Sequence, residues 1–244
     1  MRDLYYDQLD GIVADLVTMT ESVRVAVERA TTGLLQTDAQ AAEGVIAGDR
    51  EIDALRDQLE NRAFELLATQ QPVAGDLRML VAALRMVADL ERMGDLAVHV
   101  AKIARMRMPD QAVPATLRPT IANMAETAER MVDETVRILG TRDVEAARAL
   151  EAEDEEMDRL RRSMFRILLS DEWEYGVEPA IDLALLGRYY ERIADHAVSM
   201  ARRVVYLVTG HHPEPLEGPF EGRLDGPVGG SIEGSLRVVS DPGS

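Results

Sequence analysis

Two pairs of carboxylates, each spaced four residues apart within an apolar helical pattern, are the residues of this chain best suited to chemistry. Glu91-Arg-Met-Gly-Asp95 lies in the first half, and Glu191-Arg-Ile-Ala-Asp195 lies 100 residues later. Side chains four residues apart share one face of a helix, so each pair presents two carboxylates together. Their oxygens suit hard cations such as Mg²⁺, Mn²⁺ or iron, and do not exclude Zn²⁺. The spacing therefore predicts a metal site in each half.

A second acidic pair in each half has the same four-residue spacing. Asp49 and Asp53 precede the first motif, and Asp154 and Asp158 match them 105 residues later. These pairs border an apolar helical stripe, so we expect them to meet the motif carboxylates of a neighbouring helix. The predicted metal ligands are therefore Glu91, Asp95, Glu191, Asp195, Asp49, Asp53, Asp154 and Asp158.

Four converging carboxylates need a compensating charge. At a separation of about 5.5 Å and an effective dielectric constant near 20, each pair repels by roughly 3 kcal/mol, and the summed repulsion is on the order of 10 kcal/mol. That sum is comparable with the stability of a whole domain. Three solutions are open: raised pKa values keep some carboxylates protonated, a metal ion neutralises them, or arginines do so, with Arg92, Arg192, Arg56 and Arg161 as candidates.

A seven-residue apolar repeat predicts that the motif carboxylates lie on the helix seam. Leu77, Leu84 and Val98 define position a of this repeat, and Glu91 occupies the same position. Asp95 falls at position e, and the second motif takes the same two positions in its own half. Both acidic pairs are therefore expected to point inward.

Two histidines lie beside the motifs. His99 continues the acidic face of the first motif, either as an extra ligand or as a flanking hydrogen-bonding group. His196 directly follows Asp195 and falls on the opposite side of the repeat, so we expect it to lie outside the core.

Composition excludes several classes of function. The chain has 44 acidic and 27 basic residues and a formal net charge of −17, which disfavours binding to nucleic acid or anionic lipid. It contains no cysteine, so disulfides, thiolate metal sites and cysteine nucleophiles are excluded. The segment 1–7 has no apolar signal core, and no apolar run is long enough to cross a bilayer. We expect a cytoplasmic protein.

The elements that position the acidic pairs are predicted to be helices throughout. Glycine and proline are scarce up to about residue 210, and apolar residues recur at steps of three and four. The breaks define six helices, three per half, and the repeated acidic pairs relate the two halves. We predict an all-α fold of two tandem, pseudo-symmetric three-helix bundles, at 1–108 and 120–210, joined by a linker at 109–119. Residues 211–244, rich in proline and glycine, are predicted to be a disordered acidic tail.

The doubled motif resembles that of the PhoU family. The E/D-x-x-x-D motif of that family, usually spelled E-R-I/M-G/A-D, corresponds to 91–95 and 191–197 of this sequence. Asp76-Leu77-Arg78 and the second acidic pairs also match the family pattern. Gly176 replaces the aspartate of the Asp-Leu-Arg segment in the second half, so the two junctions are not equivalent. The resemblance covers residues 1 to about 210.

Membership of this family implies a regulator without catalytic activity. It implies two symmetric three-helix bundles, with multinuclear clusters of iron, or of Zn, Mn or Mg, on the acidic motifs of some members. It also implies a cytoplasmic homodimer that links the ATPase subunit of a phosphate ABC transporter to a membrane sensor histidine kinase. When phosphate is plentiful, such a protein restrains uptake and represses phosphate-starvation signalling. It meets the membrane only through its partners.

Three alternatives stay open from the residues alone. A metal-carboxylate oxidoreductase is disfavoured because such helical bundles use Glu-x-x-His, and no histidine here has glutamate three positions before it. An accessory protein of a low-affinity phosphate permease is the second, although those chains usually have a single repeat. A helical scaffold without metal is the third.

Overall fold

Six helices form the described part of this chain. The computed structural model describes residues 2–211, with side chains from residue 5 onward. The helices are α1 Arg2–Gln36, α2 Ala39–Gln70, α3 Gly75–Arg107, α4 Arg118–Thr141, α5 Val144–Leu168 and α6 Val177–Thr209. No strand occurs within 2–211, and no helix there is long and apolar enough to cross a membrane. The all-α prediction is confirmed, whereas the predicted tail at 211–244 lies, apart from His211, outside the described residues.

Aspartates begin the second helix of each half. The Asp38 side chain accepts a hydrogen bond from the backbone N–H of Ala41, and Asp143 accepts from the N–H groups of Glu145 and Ala146. Each acidic cap satisfies backbone donors that have no partner within the helix. The two caps occupy matching places 105 residues apart, so the repeat extends to the local signals that start these helices.

Each half packs as a three-helix bundle. In the first half α1, α2 and α3 contact one another, and in the second α4, α5 and α6 do so. The halves are joined by contacts of α3 with α6 and of α1 with α4, so that the six helices form one compact unit. The prediction of two tandem, pseudo-symmetric bundles is confirmed. The seam between α3 and α6 does not follow from the sequence pattern, which predicts each half as a bundle of its own.

The α3–α6 seam is antiparallel and has approximate two-fold symmetry. His99 stacks on Tyr189 with ring centroids 5.3 Å apart. The symmetry-related pair, obtained by moving each residue 100 positions into the other half, is Ser199 and Asp89, and the Ser199 hydroxyl donates to Asp89 at 3.3 Å. The two central helices therefore cross at equivalent places, although one contact is aromatic and the other is charged.

The cores of the two halves are filled differently at one symmetric position. In the second half a Cβ on the buried Gly187 would clash with Cε of Met164. The corresponding positions of the first half hold Val87 and Leu59, both buried. A large residue beside glycine in one half thus replaces two medium residues in the other, which conserves volume within a close-packed core.

Candidate metal centres

The carboxylates of the first motif lie at the rim of the bundle core. Leu80, Val87 and Leu90 are fully buried in α3, whereas Leu77 is 42 % exposed and Glu91 is partly exposed. The prediction that position a of the repeat points inward is therefore wrong for Leu77 and Glu91, although Val98 at the same position is buried. The reason is that α3 packs on α6 as well as on α1 and α2, so the contacts between halves draw other residues into the core.

In α6 the predicted inward face is likewise exposed, but only near the start of the helix. Val177 and Ile181, which share the predicted inward face with this motif, are 76 % and 54 % exposed. Glu191 is 8 % exposed and therefore buried, but Asp195 reaches solvent at the edge of the helix. Only one of these two carboxylates is thus placed as predicted.

In the first half the structure brings the two acidic pairs together across α2 and α3. Arg56 on α2 lies between them, with its Nη1 2.9 Å from Oδ1 of Asp53 and 3.5 Å from Oε1 of Glu91. Burial, followed by the charges of Asp53 and Asp95, raises the pKa of Asp49. Burial and Asp95 likewise raise the pKa of Glu91. These four carboxylates, Asp49, Asp53, Glu91 and Asp95, are called the first acidic cluster.

In the second half the equivalent carboxylates meet across α5 and α6. Burial, followed by the charges of Asp195, Asp158 and Glu191, raises the pKa of Asp154 to about 6. Burial and Glu191 also raise the pKa of Asp195. These carboxylates, Asp154, Asp158, Glu191 and Asp195, are the second acidic cluster. The structure thus places the two acidic pairs of each half on neighbouring helices, where their charges repel one another. That they hold a metal ion stays a prediction.

Arginines pair with several carboxylates of each cluster, the two motif glutamates among them. Nε of Arg161 lies 3.3 Å from Oε1 of Glu191, and this pair is the counterpart of Arg56 and Glu91 in the first half. Arg188 donates to the other oxygen of Glu191 at 2.6 Å. Arginine compensation, one of the three solutions open from the sequence, is thus present in both halves. It is incomplete, because the pKa values of Asp49, Asp154 and Asp195 remain raised.

The side chains of both clusters offer the oxygen ligands that a metal ion needs, but they do not point towards a common centre. All eight side chains offer oxygen, which hard cations prefer. Among the described residues, however, no three Asp, Glu or His side chains converge as a ready set of ligands. Because arginines hold Glu91 and Glu191, metal binding at either cluster would require these side chains to turn.

His196 is largely buried, whereas the sequence predicts that it lies outside the core. Its side chain is 15 % exposed, and its Nδ1 lies 3.1 Å from Oδ1 of Asp89 on α3. The other carboxylate oxygen of Asp89, Oδ2, accepts a hydrogen bond from Nη2 of Arg203 at 2.9 Å. Although burial alone would raise it, the pKa of Asp89 is lowered because His196 and Arg203 bond to its charged form. His196 is drawn inward because this network joins the two halves.

The sequence singles out His99 as a residue beside the first motif, but it does not single out Asp89. His99 is exposed and stacks on Tyr189, which favours the flanking position over that of a ligand. Asp89 was missed, although a signal exists: it is an acid in the turn before the first motif, between the buried residues Met86 and Leu90. An acid at such a place needs a partner, but the sequence does not show that the partner comes from the other half.

Comparison with known proteins identifies the family. The model of the PhoU domain matches this chain twice, at residues 16–104 and 121–204. The chain belongs to the PhoU family. The first match contains the whole first acidic cluster of this family member, and the second match contains the whole second cluster.

Relatives of known name agree with this assignment. The chain is 45 % identical over 213 residues to "Phosphate-specific transport system accessory protein PhoU homolog 2" of Mycobacterium tuberculosis, which covers 87 % of this chain and all of that protein. It is 44 % identical over 214 residues to "Phosphate-specific transport system accessory protein PhoU homolog 1" of Mycobacterium leprae, with coverage of 88 % and 96 %.

A solved structure has the same architecture. The crystal structure of PhoU from Pseudomonas aeruginosa superposes with a TM-score of 0.78 at 26 % identity and covers 85 % of this chain and 100 % of that one. The duplicated bundle of this PhoU family member is therefore the arrangement found in an experimental PhoU structure.

Proposed function

We propose that this chain is an accessory protein of phosphate-specific transport that regulates phosphate uptake without catalysis of its own. The observation that carries this proposal is the match of the PhoU domain to both halves, together with relatives named for phosphate transport along nearly their whole length. In this proposal the protein acts in the cytoplasm and couples the ATPase subunit of a phosphate ABC transporter to a sensor histidine kinase. It represses phosphate-starvation signalling when phosphate is plentiful.

Purified components test the coupling. The transporter ATPase and the soluble part of the phosphate-responsive histidine kinase from the same genome would each be immobilised, and binding of the full chain would be measured. Specific binding to both partners supports coupling. Binding to the ATPase alone supports a transport accessory without signalling, and binding to neither partner contradicts the proposal.

The regulatory direction needs a test in cells. Deletion of the gene should switch on a phosphate-starvation reporter in phosphate-rich medium, and the intact gene should switch it off again. A reporter that stays silent after deletion would contradict repression. Light scattering of the purified chain across a concentration series tests the homodimer that we also propose.

We further propose that the two acidic clusters hold metal ions, with iron, Zn, Mn or Mg as the candidates. The raised pKa of Asp154 supports this proposal, since a cation would relieve the repulsion that burial and three neighbouring carboxylates create. Asp49, Asp53, Glu91 and Asp95 would hold metal in the first half, and the second acidic cluster would do so in the other. Such a metal would supply positive charge that ties α2 to α3 and α5 to α6.

Elemental analysis of untagged protein, before and after chelation, tests metal binding. The variant Glu191→Gln/Asp195→Asn should lose metal from one cluster and keep it in the other, and Glu91→Gln/Asp95→Asn should do the reverse. Glu145→Gln/Glu174→Gln removes two exposed carboxylates away from both clusters and is the matched control. Absence of stoichiometric metal under every loading condition would refute the metal centres while leaving the regulatory proposal intact.

A further inference from the structure

A groove at one end of the α3–α6 seam has a composition unlike the rest of this acidic chain. It encloses about 780 Å³ and lies between the first half of α3 and the second half of α6. Volumes of this order are typical of small-molecule sites. Its cationic and apolar lining includes Arg78, Arg85, Arg202, Arg203, Leu77 and Val81. Four guanidinium groups therefore line one groove of a chain whose formal net charge is −17.

Two of these arginines are held in place by internal carboxylates. Nε of Arg202 donates to Glu151 at 2.7 Å, and Arg203 donates to Asp89 through Nε and Nη2. A guanidinium carries five N–H donors in a planar fork, so each of these groups retains donors beyond those used inside the protein. Both are thus oriented before any ligand arrives, which lowers the entropic cost of binding.

The other two arginines lack such partners. Neither Arg78 nor Arg85 forms an ion pair with a carboxylate among the residues that the structure describes. The guanidinium of Arg78 lies over the ring of Tyr206, 5.4 Å from its centroid. Asp195 is the one carboxylate that lines the groove, again within the described residues. The end of the groove formed by Arg78 and Arg85 is therefore the positive end.

The symmetry-related end of the α3–α6 seam lacks the positive charge found in the groove. The positions equivalent to Arg78 and Arg85 are Glu178 and Leu185. There Arg107 closes the seam by donating to Glu178 and to the buried Asp182, both at 2.6 Å. The same scaffold is thus neutralised internally at one end and left positive at the other.

The spacing of the free arginines suits an elongated anion. Arg78 and Arg85 are seven residues apart, which is about 10.5 Å along a helix axis. That distance exceeds the size of a single phosphate group, but a chain of phosphates can contact both guanidinium groups. Arginine binds phosphate through paired N–H groups. The half-exposed Leu77 and Val81 add an apolar wall beside this row.

We propose that this groove binds a chain of phosphate groups, as found in inorganic polyphosphate or in a nucleoside triphosphate. Arg78 and Arg85 contact the phosphates directly, and Arg202 and Arg203 support them from the facing helix. Asp195 repels the anion and confines it to the positive end. The groove shares Asp195 with the second acidic cluster, and binding there requires neither a transporter nor a kinase.

Calorimetric titration of the full purified chain with four probes tests the proposal: tripolyphosphate, ATP, inorganic phosphate and sulfate. We expect tripolyphosphate and ATP to bind, and phosphate and sulfate to bind at least about tenfold more weakly, because each contacts fewer guanidinium groups. Tighter binding of ATP identifies the apolar wall as a nucleoside contact, whereas equal binding identifies polyphosphate as the ligand class. Absence of binding by both phosphate chains overturns the proposal.

Variants locate the binding. Arg78→Gln/Arg85→Gln should weaken tripolyphosphate binding by about tenfold or more, and Asp195→Asn should strengthen it. Arg50→Gln/Arg159→Gln changes the net charge equally at two exposed arginines on α2 and α5 and should leave affinity unchanged. Equal losses in both double variants would show a nonspecific charge effect and overturn the site. Arg85→Lys retains the positive charge. If this variant binds tripolyphosphate more tightly than Arg85→Gln does, the loss in Arg85→Gln comes from the missing charge and not from a folding defect.

Discussion

Replacing Asp154 with asparagine should stabilise the metal-free protein at pH 7.5. Burial and three neighbouring carboxylates raise the pKa of Asp154 from its ordinary 3.8 to about 6 in the folded state. Below pH 3.8 the group is protonated in both the folded and the unfolded chain and has no effect. As the pH rises towards 6 the unfolded chain ionises first, so the free energy of unfolding falls. Above pH 6 the full penalty remains, and asparagine removes it.

The magnitude follows from the difference between the two pKa values. A shift from 3.8 to about 6 corresponds to roughly 3 kcal/mol. Because Asp154 is only half-buried, solvent screening reduces this to about 1–2 kcal/mol. In a chain of this size the gain equals a rise of about 3–6 °C in melting temperature. At pH 5 the titration is incomplete, and the gain should be about half as large.

Urea unfolding in the presence of a chelator measures this effect at pH 7.5 and at pH 5. Asp158→Asn is the matched control, because Asp158 belongs to the same cluster but pairs with Arg162 at 3.3 Å. It should stabilise the protein less than Asp154→Asn, or destabilise it. A loss of stability in Asp154→Asn at pH 7.5, or a gain that does not depend on pH, would refute the view that Asp154 carries the unrelieved charge.

Three further substitutions test the packing between and within the halves. Asp89→Asn should lower the free energy of unfolding by about 2–4 kcal/mol, since it weakens a buried charge network. The loss should shrink as acid protonates Asp89, because its lowered pKa makes it stabilising only when ionised; a loss that is constant down to acid pH would argue against this. Gly187→Val should lower the free energy of unfolding, measured by chemical denaturation, by about 1–3 kcal/mol because the new side chain clashes with Met164, and adding Met164→Leu should restore part of this stability. No recovery would refute the view that the large Met164 compensates for the missing side chain of Gly187. Arg107→Ala should lower the melting temperature more than Arg105→Ala, whose ion pair is exposed; equal effects would contradict a structural role for the buried pair.

The repeat and the helices could be predicted because their signals are local. A helix places residues four apart on one face wherever it lies, so the spacing of Glu91 and Asp95 identified a shared face without any knowledge of the fold. The helix starts at Asp38 and Asp143 also depend on local signals, since a cap bonds to N–H groups within three residues of itself. The position of the two acidic pairs of each half on neighbouring helices followed from these local patterns and the three-helix arrangement.

The inward direction of the motifs could not be predicted, because burial depends on every neighbour of a helix. The contacts of α3 with α6 turned Leu77 and Ile181 towards solvent and brought His196 against Asp89. Nothing in the periodicity of one half shows which of its faces meets the other half.

The sequence by itself determined the family, the helices and the doubled acidic pattern of this protein, because these depend on residue type and on spacing along the chain. The tertiary structure alone decided which charges are compensated. It placed Arg56 and Arg161 on the motif glutamates, left Asp154 with a raised pKa, and aligned Arg78 and Arg85 in an open groove. Coulombic energy depends on distance and burial in space, and residues far apart in the chain set both.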